Sequence, residues 1–472
     1  MLPNAGGSAG DETADSEETE MKPMGKRDRG DLTVGNVAVK TIGFAVPIII
    51  TSLLQAVYNI ADMAIVGQYI GKAGMSAVNI GGQVTMIILV FCLGVSNGGG
   101  ILVSNLFGAK KKERIPKVTG TMLVLFFLMA LIFMVIVFTL GVPILKGLDT
   151  PAEAFEGTRT YLFICVSGTV FIYFYNVLAA VLRGVGDSLR PMIFVFITVV
   201  LNIVLDILFV GPMHMGVSGA ALATIISQFI SMSMAIWYVR RIGLFDFKPG
   251  SFRIDKEYLK ITLKIGVPQG LQFGLTNISF LLIMGFINPF GVAASAATGA
   301  VTKIGTFAVL PAQALMSALI TMTAQNIPLG QHSRILKSMF VSMGISLLFT
   351  GLIFLLGQII PGDMLGIFTK DPEVVAIGSR YLQILTISYM IESVMFCMYG
   401  VITGGGHTYY VFGCAILSAF IVRFAFAWIF SAATSLGLMG IAWAYVLAPA
   451  SSGLAALIFL LTGKWKKNRI KV

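Results

Sequence analysis

The chain has 472 residues, of which 56% are hydrophobic and only 12% charged, about half the charged share of an average soluble domain. That balance excludes a soluble globular protein and points to a chain dissolved in lipid. The net charge of +11 does not imply nucleic acid, because the basic residues sit in short connections and form no soluble basic face.

In chain order, the first stretch is polar, with six acids between Asp11 and Glu20. Its composition predicts a disordered cytoplasmic tail over 1–37, with no secretory signal before the first apolar run. Six apolar runs of spanning length follow at about 39–68, 75–107, 118–141, 158–182, 190–210 and 217–240, making an N-terminal lobe over 38–242. A linker at 243–259 leads to six more at about 260–287, 292–326, 336–359, 376–402, 408–432 and 438–463, a C-terminal lobe over 260–464. A basic tail, 465–472, ends the chain.

Lys and Arg gather in alternate connections, among them Lys110–Lys112, Arg183, Arg240, Arg241 and Arg334, and again in the tail from Lys464. The intervening connections 211–216, 289–292 and 435–437 have none. The positive-inside rule then places both termini in the cytoplasm and the protein in the plasma (inner) membrane. Cys92, Cys165, Cys397 and Cys414 lie in apolar runs without metal spacing and read as small buried hydrophobes. No phosphate-binding loop, catalytic triad or selectivity filter is present, so the reading is a transporter and not an enzyme, with no cofactor beyond a coupling ion and no metal beyond a possible Na+.

The two halves repeat at a shift of about 220 residues. Pro47 meets Pro268, Arg114 meets Arg334, Tyr161-Leu162 meets Tyr381-Leu382, and Gly184 and Gly186 meet Gly404 and Gly406. Six spans per half bring both halves in from the same side. The expected fold is thus all-α integral membrane: twelve transmembrane helices in two parallel-repeat lobes, with a pseudo-two-fold axis along the membrane normal.

Ionisable groups in mid-membrane persist where they face a cavity or a partner. Gln55, Asn59 and Asp62 fall at i, i+4 and i+7 on one face of span 1, downstream of Pro47, which can act as a hinge. Asn202 and Asp206 fall at i and i+4 in span 5; a carboxylate with an amide neighbour can hold Na+ or share a proton. Tyr161, Asn176 and Thr224 in the N-terminal half, and Gln269, Gln272 and Thr276 on one stripe of span 7, are candidates to line a cavity or to join helices. Glu392 is a further candidate, although pairing with Lys303 or Arg423 is the simpler reading.

At "PIIITSLLQAVYNIADMAIVGQYIG", "AAVLRGVGDSLRPM", "LNIVLDILFV" and "GVSGAALATIISQ" the chain resembles the multidrug and toxic compound extrusion (MATE) family, from about residue 38 to 463. The resemblance implies a V-shaped pair of six-helix lobes and efflux of organic, often cationic, amphiphilic compounds in exchange for H+ or Na+. It also implies coupling roles for Asp62, Asn202 and Asp206, with Tyr161 and Thr224 nearby. Where some members carry an acid in the seventh helix this chain has glutamines, which weakens a cation site in the second lobe. A lipid-linked oligosaccharide flippase is the alternative transporter, and a membrane-embedded lipid-modifying enzyme the alternative class. The expected partners are small organic molecules and membrane lipid, with the protein monomeric.

Overall fold

The computed structural model describes residues 30–470, and among them every regular element is helical. The first half comprises α1 (Val37–Tyr69), α2 (Lys72–Gly108), α3 (Ile115–Gly147), α4 (Ala152–Ser167), α5 (Thr169–Gly184), α6 (Leu189–Val210) and α7 (Gly216–Arg241). The second comprises α8 (Lys256–Ile287), α9 (Val292–Asn326), α10 (His332–Ile359), α11 (Pro361–Gly366), α12 (Pro372–Gly404), α13 (Thr408–Ile416), α14 (Arg423–Ala432) and α15 (Leu438–Leu461). Eleven helical runs are long and apolar enough to cross a membrane, and α4 with α5, bent by 46°, supplies a twelfth.

The expected fourth span is therefore broken at Gly168. A Cβ there would lie 2.6 Å from Cγ1 of Ile225 on α7, so the missing side chain lets the joint pack closely. The eleventh span also departs from a plain α-helix: Leu417–Val422 is wound as a π-helix between α13 and α14. The spans opening each half start alike. Asn36 caps α1 by accepting from the amides of Ala38 and Val39 at 3.0 and 3.2 Å, and Asp255 caps α8 through Glu257 and Tyr258. Each helix then carries an internal proline, Pro47 or Pro268.

The halves meet through their terminal-side ends. Gly94 and Gly98 of α2 lie against Gly266 and Gly270 of α8, so closely that a Cβ on Gly98 would fall 2.6 Å from the Gly266 nitrogen. Small residues allow such backbone approach where no hydrophobic drive exists between helices in lipid. Phe44 and Ala45 of α1 pack on Leu315, Ala318 and Met322 of α9, and the Thr41 and Ser338 hydroxyls are 2.8 Å apart.

Among the described residues, both tails are docked at their inner ends. The acidic run lies outside the described residues, but residues 30–36 are not a free tail. Leu32 is 2% exposed, its amide donates to Gln325 Oε1 at 3.1 Å, and Arg334 donates to the carbonyls of Leu32, Val34 and Gly35 at 2.9, 2.9 and 2.6 Å. At the other end Trp465 is buried, Asn468 exchanges hydrogen bonds with Asn105 of α2, and Ile470 packs into the first half's core. An apolar side chain beside an unpaired backbone finds its partners in the groove between the lobes, which hydropathy along the chain does not reveal. The linker, likewise, is held to α3: Thr121 accepts from the Asp255 amide at 3.0 Å, and Phe245 is buried.

Candidate functional site

The first half holds two adjoining cavities. The larger, about 320 Å³, is lined by Gln55, Tyr58 and Asn59 of α1, Asn176 of α5, Asn202 of α6, and Thr224 and Gln228 of α7, with apolar residues of α2 between them. The smaller, about 210 Å³, shares Gln55, Leu93, Tyr175, Asn176 and Val195 with it and continues toward the terminal side as far as Arg183 and Ser188, where Thr321 of α9 closes one wall. A few polar groups in an apolar hollow are what a small-molecule site needs.

Behind the larger cavity stand two buried carboxyl groups. Asp62 of α1 is 8% exposed and Asp206 of α6 fully buried, and the two lie within hydrogen-bond range of one another. Asn202 donates to Oδ2 of Asp206 at 2.9 Å and accepts from the Thr224 amide at 3.3 Å. The Thr224 hydroxyl donates to the Ala220 carbonyl at 3.1 Å and lies 3.3 Å from the Tyr58 hydroxyl. One oxygen of each carboxyl group, Oδ1 of Asp62 and Oδ1 of Asp206, has no hydrogen-bond partner. Two carboxyl groups in contact repel unless a proton or a cation lies between them. Among the described residues no basic side chain is seen bonded to either group, so a proton or cation between the two would relieve that repulsion.

Of the residues singled out from sequence, Gln55, Asn59, Asn176, Asn202 and Thr224 line the larger cavity; Asp62 and Asp206 do not, and Asp206 reaches it only through Asn202. Tyr161 lies within the electrostatic field of Asp62, packed in a cluster with Cys165 and Val66, and does not line the cavity. Pro47 sits in an unbroken α1, where Thr51 donates to its carbonyl at 2.7 Å. Gln269, Gln272, Thr276 and Glu392 line neither cavity. Gln269 is buried beside Gly270 at the α2–α8 crossing, and the Thr276 hydroxyl donates to the Gln272 carbonyl.

Glu392 accepts from the Ser388 hydroxyl at 3.2 Å. Arg423 is near enough to act on it electrostatically but forms no direct ion pair with it. Its guanidinium lies instead over the rings of Phe280 and Tyr445, 4.7 and 4.9 Å from their centroids, and donates to Ser279 at 3.2 Å. Lys303 is exposed on α9 and takes no part. Sequence reasoning missed Tyr58, which bridges α1 and α7, and assigned Arg183 to topology alone. The signal for Arg183 was its spacing: Asn176, Ala180 and Arg183 fall at i, i+4 and i+7 on one face of α5.

A MatE family model matches the chain twice, over residues 47–208 and 268–429, two copies set 221 residues apart. The chain is 29% identical over 441 residues to "Probable multidrug resistance protein YpnP" of Bacillus subtilis (strain 168), covering 93% of this chain and 98% of that one. Its fold is similar to that of a MOP superfamily transporter from Pyrococcus furiosus, with a TM-score of 0.86 at 21% identity, covering 94% of this chain and all of the other. An outward-facing MATE family multidrug resistance transporter gives a TM-score of 0.84 at 22% identity over 95% of this chain and 100% of that one. The twofold family match over most of both halves, on a membrane-spanning helical fold, shows that the chain belongs to the MATE family of multidrug efflux transporters, not to a class of enzymes.

Proposed function

We propose that this protein is a secondary antiporter that exports organic, cationic and amphiphilic compounds in exchange for H+ or Na+ by alternating access. It acts from the plasma (inner) membrane, with both termini in the cytoplasm, where the positive-inside distribution puts them. The observation that carries the reading is the contact between Asp62 and Asp206 behind the polar lining of a cavity large enough for a small molecule. The relative in Bacillus subtilis, named for multidrug resistance, supports the same substrate class.

The coupling follows from charge. Asp62 belongs to α1 and Asp206 to α6, so an ion between them ties these two helices together, and its loss leaves two like charges pressing them apart. An ion and a substrate cation that compete for the pair favour different arrangements of α1, and that difference is the coupling free energy. Pro47 removes one backbone donor from α1, which makes the helix easier to bend on the terminal side of the site.

The test is dye efflux from proteoliposomes under an imposed pH gradient or an imposed Na+ gradient, for wild type and Asp62→Asn. Ethidium should leave under one gradient only, which identifies the ion, and the mutant should export at least tenfold more slowly while reconstituting normally. Undiminished gradient-driven export in the mutant would sink the proposal. Export of no dye under either gradient would favour a narrow-substrate exporter or a lipid-linked oligosaccharide flippase.

A further inference from the structure

The smaller cavity contains a charge that the coupling site does not use. Arg183 lies near the end of α5 and lines this cavity, while forming no hydrogen bond or ion pair through its side chain among the described residues. The nearest acid in sequence is engaged elsewhere: Asp187 accepts from the Arg190 amide at 3.1 Å and from the Tyr238 hydroxyl at 3.0 Å. No Asp or Glu lines the cavity. A half-buried guanidinium that faces a cavity with no acceptor beside it is open to an anion that enters the cavity.

The surroundings suit that role. Asn97 of α2, Ser188 before α6 and Thr321 of α9 line the same cavity, and none of their side chains is bound within the protein. By contrast, Thr51 and Ser52 in the same wall already donate to the carbonyls of Pro47 and Ile48. The free groups are thus a cation and three neutral donors around one space, drawn from both halves of the molecule. Donors converging on a cationic fork match the oxygens of a carboxylate or similar anion.

We propose that Arg183, with Asn97, Ser188 and Thr321, forms a subsite for an anionic group on the transported compound, so that the joined cavities take zwitterions. The ammonium or other cationic end goes toward Asp62 and Asp206, and the carboxylate end goes to Arg183. The proposal rests on the exporter reading for its transport consequence, though not for the binding itself. The two cavities meet at Gln55, Tyr175 and Asn176, so one elongated molecule can reach both ends.

The test compares rhodamine B, a cationic dye with a carboxylate, with its ethyl ester, which lacks the negative charge. Fluorescence anisotropy with the full chain in detergent gives the ratio of ester to acid dissociation constants. Wild type should bind the acid more tightly than the ester. Arg183→Gln should lower that preference about tenfold, the loss of one charge-assisted contact, and Arg183→Lys should keep most of it. A misfolded variant would lose both ligands together and leave the ratio uninformative, which is why Arg183→Lys is measured alongside and must restore it. Equal affinities in wild type, or a ratio that Arg183→Gln does not move, would overturn the subsite. So would displacement of the acid, and not the ester, by phosphatidylglycerol in the micelle, which would assign the arginine to a lipid headgroup. An Arg183-dependent preference without export of either dye from proteoliposomes would leave the subsite standing and remove the exporter reading. Export of the ester with no such preference would do the reverse.

Discussion

At the scale of single residues, the proposed coupling site depends on Asn202 as much as on the acids. Its amide donates to Asp206 and also receives the Thr224 backbone amide. Asn202→Leu leaves a buried carboxyl oxygen of Asp206 without its amide donor, at about 1–3 kcal/mol for an unsatisfied group. The variant should therefore melt several degrees below wild type and export poorly, whereas Asn202→Ser, which can still donate, should recover part of both. Thermal unfolding in detergent beside dye efflux checks this, and unchanged melting in Asn202→Leu would remove the structural part of the argument. Much of this site was visible in the amino-acid sequence, because a polar residue in an apolar run stands out and the spacings 55–59–62 and 202–206 each define one helical face. Arg183 was visible only as a charge. A basic residue at the end of a span satisfies the topology rule whether or not it faces a cavity, so nothing local separates the two roles. Gln269 is the converse case. Its stripe with Gln272 and Thr276 fits a lining face and a helix contact alike, and only Gln269 is buried, beside Gly270 at the α2–α8 crossing, where amides serve contact between helices.

At the scale of elements, the crossing of α2 and α8 is set by glycines. A Cβ on Gly98 would meet the Gly266 nitrogen at 2.6 Å and the Thr262 carbonyl oxygen at 2.7 Å, both backbone atoms that cannot swing aside. Gly98→Ala should destabilise the protein by about 1–3 kcal/mol through overpacking. Gly82→Ala on the same helix has nothing within 4 Å and should leave stability within about 0.5 kcal/mol of wild type. Equal melting temperatures for the two would show that the helices can separate at this point without penalty. The existence and order of the spans were legible because a membrane demands about 20 apolar residues in a row. The break at Gly168 and the π-helical turn at Leu417–Val422 were not, since neither changes the hydropathy of its run.

The C-terminal strap carries a pH-sensitive contact at the same scale. His407, outside the spans, lies near the Lys467 carbonyl with Nε2 at 3.2 Å and packs on Phe459. Burial holds its imidazole below the ordinary 6.5, with Arg469 adding to the effect against the opposing pull of the Lys467 carbonyl. A base whose folded value is lowered is protonated first when unfolded. The docking of the strap is then fully stable above about pH 6.5 and weakens as pH falls through the window below it. Tryptic cleavage after Lys467 should accelerate between pH 7.5 and 5.5 in wild type relative to His407→Gln, each pair compared at the same pH to cancel the protease's own profile. A constant ratio across that range would show that the histidine does not hold the strap.

At the scale of the whole molecule, the terminal side is closed by two straps related by the repeat. The N-terminal strap crosses from Gly30 against Gly186 to Gln325 and Arg334, and the C-terminal strap from Gly406 to Asn105. Gly186 and Gly406, like Asn105 and Gln325, are partners under the 220-residue shift. Each strap touches both halves, so the halves cannot part on this side while both are seated. Gln325 adds a direct tie, donating to the Gly184 carbonyl at 2.9 Å just beyond Arg183. In the proposed alternating access this face opens, and the straps would then set part of the free-energy difference between the two states. Arg334 makes three charge-assisted bonds to the N-terminal strap, and because it is partly exposed their removal should shift the balance by only about 1–2 kcal/mol. That corresponds to a rise of roughly 5- to 30-fold in the population open on the terminal side. Ser317, which lines the smaller cavity, reports it. In Ser317→Cys, a membrane-impermeant maleimide should react from the terminal side about tenfold faster when Arg334→Ala is added. The four native cysteines are buried and contribute little background. If Arg334→Ala leaves the labelling rate unchanged, the helix contacts alone hold the face shut, and the straps follow the lobes without restraining them.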